Sequence, residues 1–142
     1  MDKKLIAKES IAIHASKNKV WDELTNPKKV KEYLFGTEVV TDWKRGSEII
    51  FQGEYEGQAY KDKGVIHEIK ENELLQYTLW SNFSELEDIP ENYSLVTYKL
   101  STSNTETVLE ITQQGFADEE AKKHAQINWR SALMQIKQLA EE

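Results

Sequence analysis

"DEEAKKHAQINWRSALMQIKQLA", residues 118–140, is the stretch on which the fold turns. Asp118 is placed to cap a helix, and Glu119 and Glu120 suit the positive end of its dipole. Small and apolar residues then recur at three-four spacing: Ala121, Ala125, Trp129, Ala132, Ile136 and Leu139/Ala140. Lys122, Lys123, Arg130 and Lys137 point elsewhere. The spacing predicts one long amphipathic helix. Its stripe also carries Asn128 beside Trp129, and a packed core rarely wants a carboxamide next to an indole. The face therefore meets either a solid interior, with Asn128 bonded to backbone or water, or a space meant to hold something. Each buried polar group left unpaired would cost about 1–3 kcal/mol.

Upstream the period changes. Residues 5–14 alternate weakly, with Ile11 and Ile13 on one side, and read as a strand. Ser16 has the look of a cap for a short helix with Val20, Trp21 and Leu24 on its stripe. Asn26-Pro27 punctuates it, and "KKVKEYLFG" (28–36) supplies a second short helix ended by Gly36. From 37 to 114 the sequence reads as six strands separated by turns: "TEVVTDW", "EIIFQGEY", "YKDKGVIHEI", "LLQYTLW", "YSLVTYKL" and "TVLEITQQ". Consecutive strands with short connections pair antiparallel. The order β-α-α-β-β-β-β-β-β-α predicts an α+β single domain spanning residues 1–142, with the long C-terminal helix laid across one face of an antiparallel sheet.

Composition narrows the functional classes. The chain has 142 residues, 30% of them charged, and a net charge of −7. An acidic chain disfavours nucleic acid, whose phosphates demand a basic groove. It has no cysteine, which excludes disulfides, thiolate metal sites and thiol nucleophiles. No apolar run has the length of a membrane span or of a signal-peptide core, so a cytoplasmic location is the expectation. The three histidines, His14, His67 and His124, lack the spacing of a metal site, and Glu68 is expected on the face opposite His67. No Ser-His-Asp order, glycine-rich phosphate loop or nucleophile elbow is visible. No catalytic residue, metal or cofactor is expected.

Three spaced segments carry a family resemblance. "SKNKVWDELTNPKKVKEYL" (16–34) has a small-polar cap, a Val-Trp helix, then Asn-Pro and a second helix. "GVIHEIKENELLQYTLW" (64–80) has a glycine-valine turn followed by a leucine-aromatic-threonine strand. "TETVLEITQQGFADEEAKKHAQINWRSALMQIKQL" (105–139) carries Thr107, Gly115-Phe116, His124 and Trp129. Together they resemble the SRPBCC, or START-like, superfamily, in the branch homologous to the C-terminal domain of the activator of heat-shock protein 90 ATPase. The chain departs from that pattern at Tyr33, where tryptophan is common, and at Asn128, where glycine is commoner. The resemblance implies a helix-grip fold, a curved sheet wrapped round the C-terminal helix with a cavity between them. It implies either a hydrophobic small molecule, lipid-like or aromatic, in that cavity or a chaperone protein as partner.

Strand alternation nominates the inward faces: Ile49, Phe51 and Tyr55; Leu75, Tyr77 and Leu79; Val96, Tyr98 and Leu100; Thr107, Leu109 and Ile111. With the helix they give a candidate ligand-binding lining of Phe51, Tyr55, Tyr77, Leu79, Tyr98, Leu109, Ile111, His124, Asn128, Trp129 and Leu133. Apolar walls with sparse polar groups suit a binding pocket, and they equally suit an ordinary core. The loop "SNFSELEDIPENYS" (81–94) is long for a hairpin connection. It reads either as a flap closed by Phe83 and Leu86 or as a solvated acidic loop. The functional expectation is a non-enzymatic binding protein for a hydrophobic small molecule. The alternatives are a chaperone-associated or stress-response interaction module, marked by an exposed apolar patch, and a polyketide cyclase/aromatase-like enzyme, which would need a titratable side chain inside the pocket.

Overall fold

A computed structural model describes residues 1–142. Its elements are β1 (Asp2–Ile13), α1 (Lys17–Thr25), α2 (Pro27–Tyr33), β2 (Glu38–Thr41), β3 (Glu48–Tyr55), β4 (Gln58–Lys70), β5 (Leu74–Ser81), β6 (Ser94–Ser103), β7 (Glu106–Phe116) and α3 (Glu119–Ala140). The order is the one the sequence predicts, with a 3-10 turn at Pro90–Asn92 added inside the long β5–β6 connection. The seven strands form one curved antiparallel sheet in the order β1-β7-β6-β5-β4-β3-β2. Because β1 pairs with β7, the two ends of the chain meet and carry α3 between them.

Local chemistry explains each boundary. The β3–β4 hairpin turns through Glu56 and Gly57, both at positive φ, the geometry of a two-residue turn that matches strand twist. Pro27 opens α2 at a position needing no N–H, and the Asn26 side chain accepts from the Lys28 amide. Asp118 Oδ1 accepts from the Ala121 amide at 2.9 Å and starts α3. Ser16 stands at the start of α1, but its hydroxyl goes to Asn18 Oδ1 rather than to a helix amide. Tyr33 is fully buried and its hydroxyl donates to the Leu24 carbonyl at 2.9 Å, so the phenol at this departure from the family pattern ties α2 to α1.

Two irregularities shape the sheet. Gly64 lies where β4 crosses close to β5: a Cβ there would stand 1.6 Å from the Thr78 carbonyl oxygen, so only glycine fits. Just beyond, a bulge between Ile66 and Glu68 breaks the alternation of β4. That corrects the expected opposition of His67 and Glu68. Both side chains are exposed, and Glu68 pairs instead with Arg45 at 3.4 Å.

The core lies between the sheet and the C-terminal half of α3. Ala132, Leu133, Ile136 and Ala140 are buried there with Ile13, Leu109, Ile111, Tyr98 and Leu100. A fully buried Leu or Ile side chain contributes about 1.5–3 kcal/mol. Polar ties fix the same half: Arg130 to Glu9 at 2.7 Å, Lys137 Nζ to the Ala12 carbonyl at 3.0 Å, and the His14 amide to Glu141 at 2.8 Å. Before Ala132, no residue of α3 is fully buried.

Candidate functional site

That difference between the halves of α3 makes the site. Its N-terminal half presents Ala121, His124, Ala125, Asn128 and Trp129 to a cavity of about 1060 Å3. The far wall comes from β3, β4 and β5, and the ends from the α2–β2 connection (Leu34, Phe35, Thr37) and the 81–86 loop. The two alanines decide the geometry. A stripe that carried large residues at 121 and 125 would reach the sheet; methyl groups leave the gap open.

Trp129 divides cavity from core. Its ring packs edge-on to Tyr98 with centroids 5.8 Å apart, and Tyr98 meets Tyr77 in the same way at 5.6 Å. Its indole N–H donates to Gln113 Oε1 at 2.9 Å; the Gln113 amide donates to Ser94 Oγ, and that hydroxyl to the Gly115 carbonyl. The floor is thus aromatic, and the Trp129, Gln113 and Ser94 side chains on it are hydrogen-bonded in series. The hydroxyls of Tyr77 and Tyr98 lie 2.7 Å apart, and burial pushes the pKa of both phenols up, so they stay neutral hydrogen-bonding groups.

The expected lining divides into two sets. Phe51, Tyr55, Tyr77, Leu79, His124, Asn128 and Trp129 border the cavity. Tyr98, Leu109, Ile111 and Leu133 do not: they are at most 2% exposed and belong to the solid core beneath Trp129. Alternation finds the inward face of a strand but not how close the opposing helix comes, and the C-terminal half of α3 closes on these four. Tyr55 is 63% exposed at the rim, where β3 runs past its cover. His124 is exposed too, 3.9 Å from Glu120 on the same helix. Asn128 is corrected in a different sense. It faces the cavity's open side and is exposed, so its carboxamide has no burial to compensate. The loop 81–86 borders the cavity: Phe83 lies 5.9 Å from Tyr60 between ring centroids, and Trp80 Nε1 donates to the Leu86 carbonyl at 3.1 Å.

Asp62 is the residue sequence reasoning missed. It shares the concave face of β4 with Tyr60, Gly64 and Ile66, opposite Phe51 on β3 and Ser81 on β5. Counting by twos back from Ile66 would have found it. It borders the cavity half-buried, and its Oδ1 is shielded from water with no hydrogen-bond partner. Burial pushes its carboxyl above the ordinary 3.8, partly offset by the nearby Ser81 side chain. The other buried carboxylate, Glu23, is also raised by burial, but it serves the α1–α2 joint, 3.4 Å from Lys29. No cluster of three or more His, Cys, Asp or Glu is arranged to hold a metal ion, and no helix is long and apolar enough to cross a membrane.

Comparison with known proteins fits this architecture. The profile of the activator of Hsp90 ATPase homolog 1-like proteins matches residues 14–141. The solution structure of ChR145 from Cytophaga hutchinsonii is 42% identical, with 99% of this chain and 97% of that one covered and a TM-score of 0.84. The Aha1 dimer from Colwellia psychrerythraea is 16% identical over 96% of each chain at a TM-score of 0.75. DynU16, a putative protein in the dynemicin biosynthetic locus, is 11% identical at a TM-score of 0.79, covering 96% of this chain and 47% of that one. The last two share the fold alone. No curated protein matches the chain. On its sequence from His14 to Glu141, and on the helix-grip architecture around it, the chain belongs to the activator of Hsp90 ATPase homolog 1-like family of the SRPBCC superfamily.

Proposed function

We propose that this protein binds a hydrophobic small molecule between the sheet and the N-terminal half of α3 and performs no reaction on it. One observation carries the reading: Ala121 and Ala125 face open space walled by aromatic rings rather than the sheet. The volume, about 1060 Å3, lies just above the range of ordinary ligand pockets, roughly 300–1,000 Å3. Burial of apolar ligand surface, at about 25 cal/mol per Å2, is the driving force. Native mass spectrometry of the purified protein and titration with the neutral dye Nile red test it. Saturable dye binding that Ala125→Phe abolishes supports the reading; absence of any binding to the wild-type chain refutes it.

A second reading, a protein-interaction module with a chaperone as partner, has its own support. Ile127 and Met134 stand seven residues apart on α3 and are 61% and 62% exposed. Substituting both by Ser would abolish chaperone capture and leave dye binding intact. The enzyme reading rests on Asp62 as a titratable group at the cavity. One half-buried carboxyl with only the Ser81 hydroxyl beside it, the other acids and His124 being exposed at the rim, supports binding better than catalysis.

A further inference from the structure

The charges round the cavity say which guests suit it, an inference that rests on reading the cavity as a binding site. Four carboxylates border the space, Glu54, Asp62, Glu85 and Asp118, and no lysine or arginine does. The basic side chain there, His124, is exposed and turned toward Glu120. Met1 also borders the mouth. Lys63 sits over the Trp80 ring at 5.9 Å but is engaged by Asp88 at 2.8 Å.

Three of the four acids are exposed at the rim, where water and salt screen them, and Asp118 already caps α3. Asp62 differs. It is half-buried on the concave face of β4, and its Oδ1 has no partner in the protein. Withdrawing this carboxylate from water is costly and only partly offset by the Ser81 side chain, and a charge-assisted hydrogen bond from a guest to its other, unshielded oxygen would offset more of that cost. The rings of Phe51, Tyr77 and Trp129 on the walls suit the apolar body of such a guest, and aromatic rings also attract cations. An anionic guest such as a fatty acid would meet the same carboxylates with no lysine or arginine on the lining to neutralise it.

We propose that the cavity selects apolar amines, with the hydrocarbon or aromatic body on the ring walls and the ammonium on Asp62. Displacement of Nile red at neutral pH by decylamine, decanol and decanoate tests this, because the three share one chain and differ in head group. Decylamine is expected to bind about tenfold more tightly than decanol, equivalent to about 1.4 kcal/mol, with decanoate the weakest. In Asp62→Asn the amine and the alcohol should become equal while decanol is unchanged. Should that variant not fold, the wild-type order decides alone, repeated in high salt: an advantage that survives belongs to Asp62, and one that vanishes belongs to the screened rim and overturns the assignment. If decanol binds and decylamine binds no better, the selectivity is wrong and the cavity reading stands. If neither dye nor decanol binds, both fall.

Discussion

Two substitutions eight residues apart on one stripe of α3 should have opposite consequences. Leu133 is 2% exposed in the core, whereas Ala125 borders the cavity. Leu133→Ala removes buried methyl groups and leaves a hole the packed sheet cannot fill, so it should cost about 3–4 kcal/mol, the middle of the range for buried leucines. In a chain of 142 residues that is a fall of roughly 10 °C in Tm. Ala125→Phe adds a ring. In a filled interior overpacking would cost about 1–3 kcal/mol. Over an empty space the ring finds partners in the facing aromatic wall, against only about 0.5 kcal/mol of lost helix propensity. The expected result is a change within about 0.5 kcal/mol of neutral, with dye binding lost. Urea unfolding read by far-ultraviolet circular dichroism measures both. A loss above about 2 kcal/mol in Ala125→Phe would show that the two surfaces meet, and the reasoning would fail.

Other consequences follow from single contacts. Gly64→Ala drives a methyl group against the Thr78 carbonyl and should cost more than about 2 kcal/mol, with near-neutral unfolding midpoints as the contrary outcome. Trp129→Phe keeps the ring contact with Tyr98 but strands Gln113 Oε1, and a loss of about 1 kcal/mol is expected; an unchanged stability would mean that water replaces the indole. Asp62→Asn should stabilise the unliganded protein at neutral pH. The folded carboxyl titrates above its ordinary 3.8 because of burial, so the folded state holds the proton more tightly. Stability from this group therefore falls as pH rises through that raised value. The gain from the substitution should shrink as pH falls through that raised value and be gone by about pH 4, and a gain independent of pH would assign the effect to something else.

The exposed carboxylates behave in the opposite sense. Asp22 beside Lys29, Asp88 beside Lys63 and Glu141 beside Lys137 are all lowered by those ammonium groups. Their contribution is present above the ordinary carboxylate range and lost as pH falls. Being exposed, they contribute little.

Much of the architecture was legible because period-two and three-four spacing are local. Leu75/Tyr77, Val96/Tyr98/Leu100 and Thr107/Leu109/Ile111 are buried as alternation predicts, and the cap at Asp118 is where the charge pattern put it. What the sequence does not carry is distance between elements. Leu133 and Ala125 lie on the apolar side of one helix, yet the first is packed in the core and the second borders the cavity. Asn128 drew notice as a polar residue on an apolar stripe, but its side of the cavity is open. Asp62 was hidden in the polar-looking run "YKDKG", where the face is set by parity with Ile66 and not by its neighbours. The bulge after Ile66 then spoiled that parity for His67 and Glu68.

An amide and indole NMR titration with decanol addresses the gap under α3 most directly. Shifts should be saturable and concentrated at Ala121, Ala125, the Trp129 indole N–H and the Tyr77 region of β5, with Leu133, Ile136 and Ala140 quiet. No saturable shifts, or shifts confined to residues 132–140, would mean that α3 has no open space beneath its first turns.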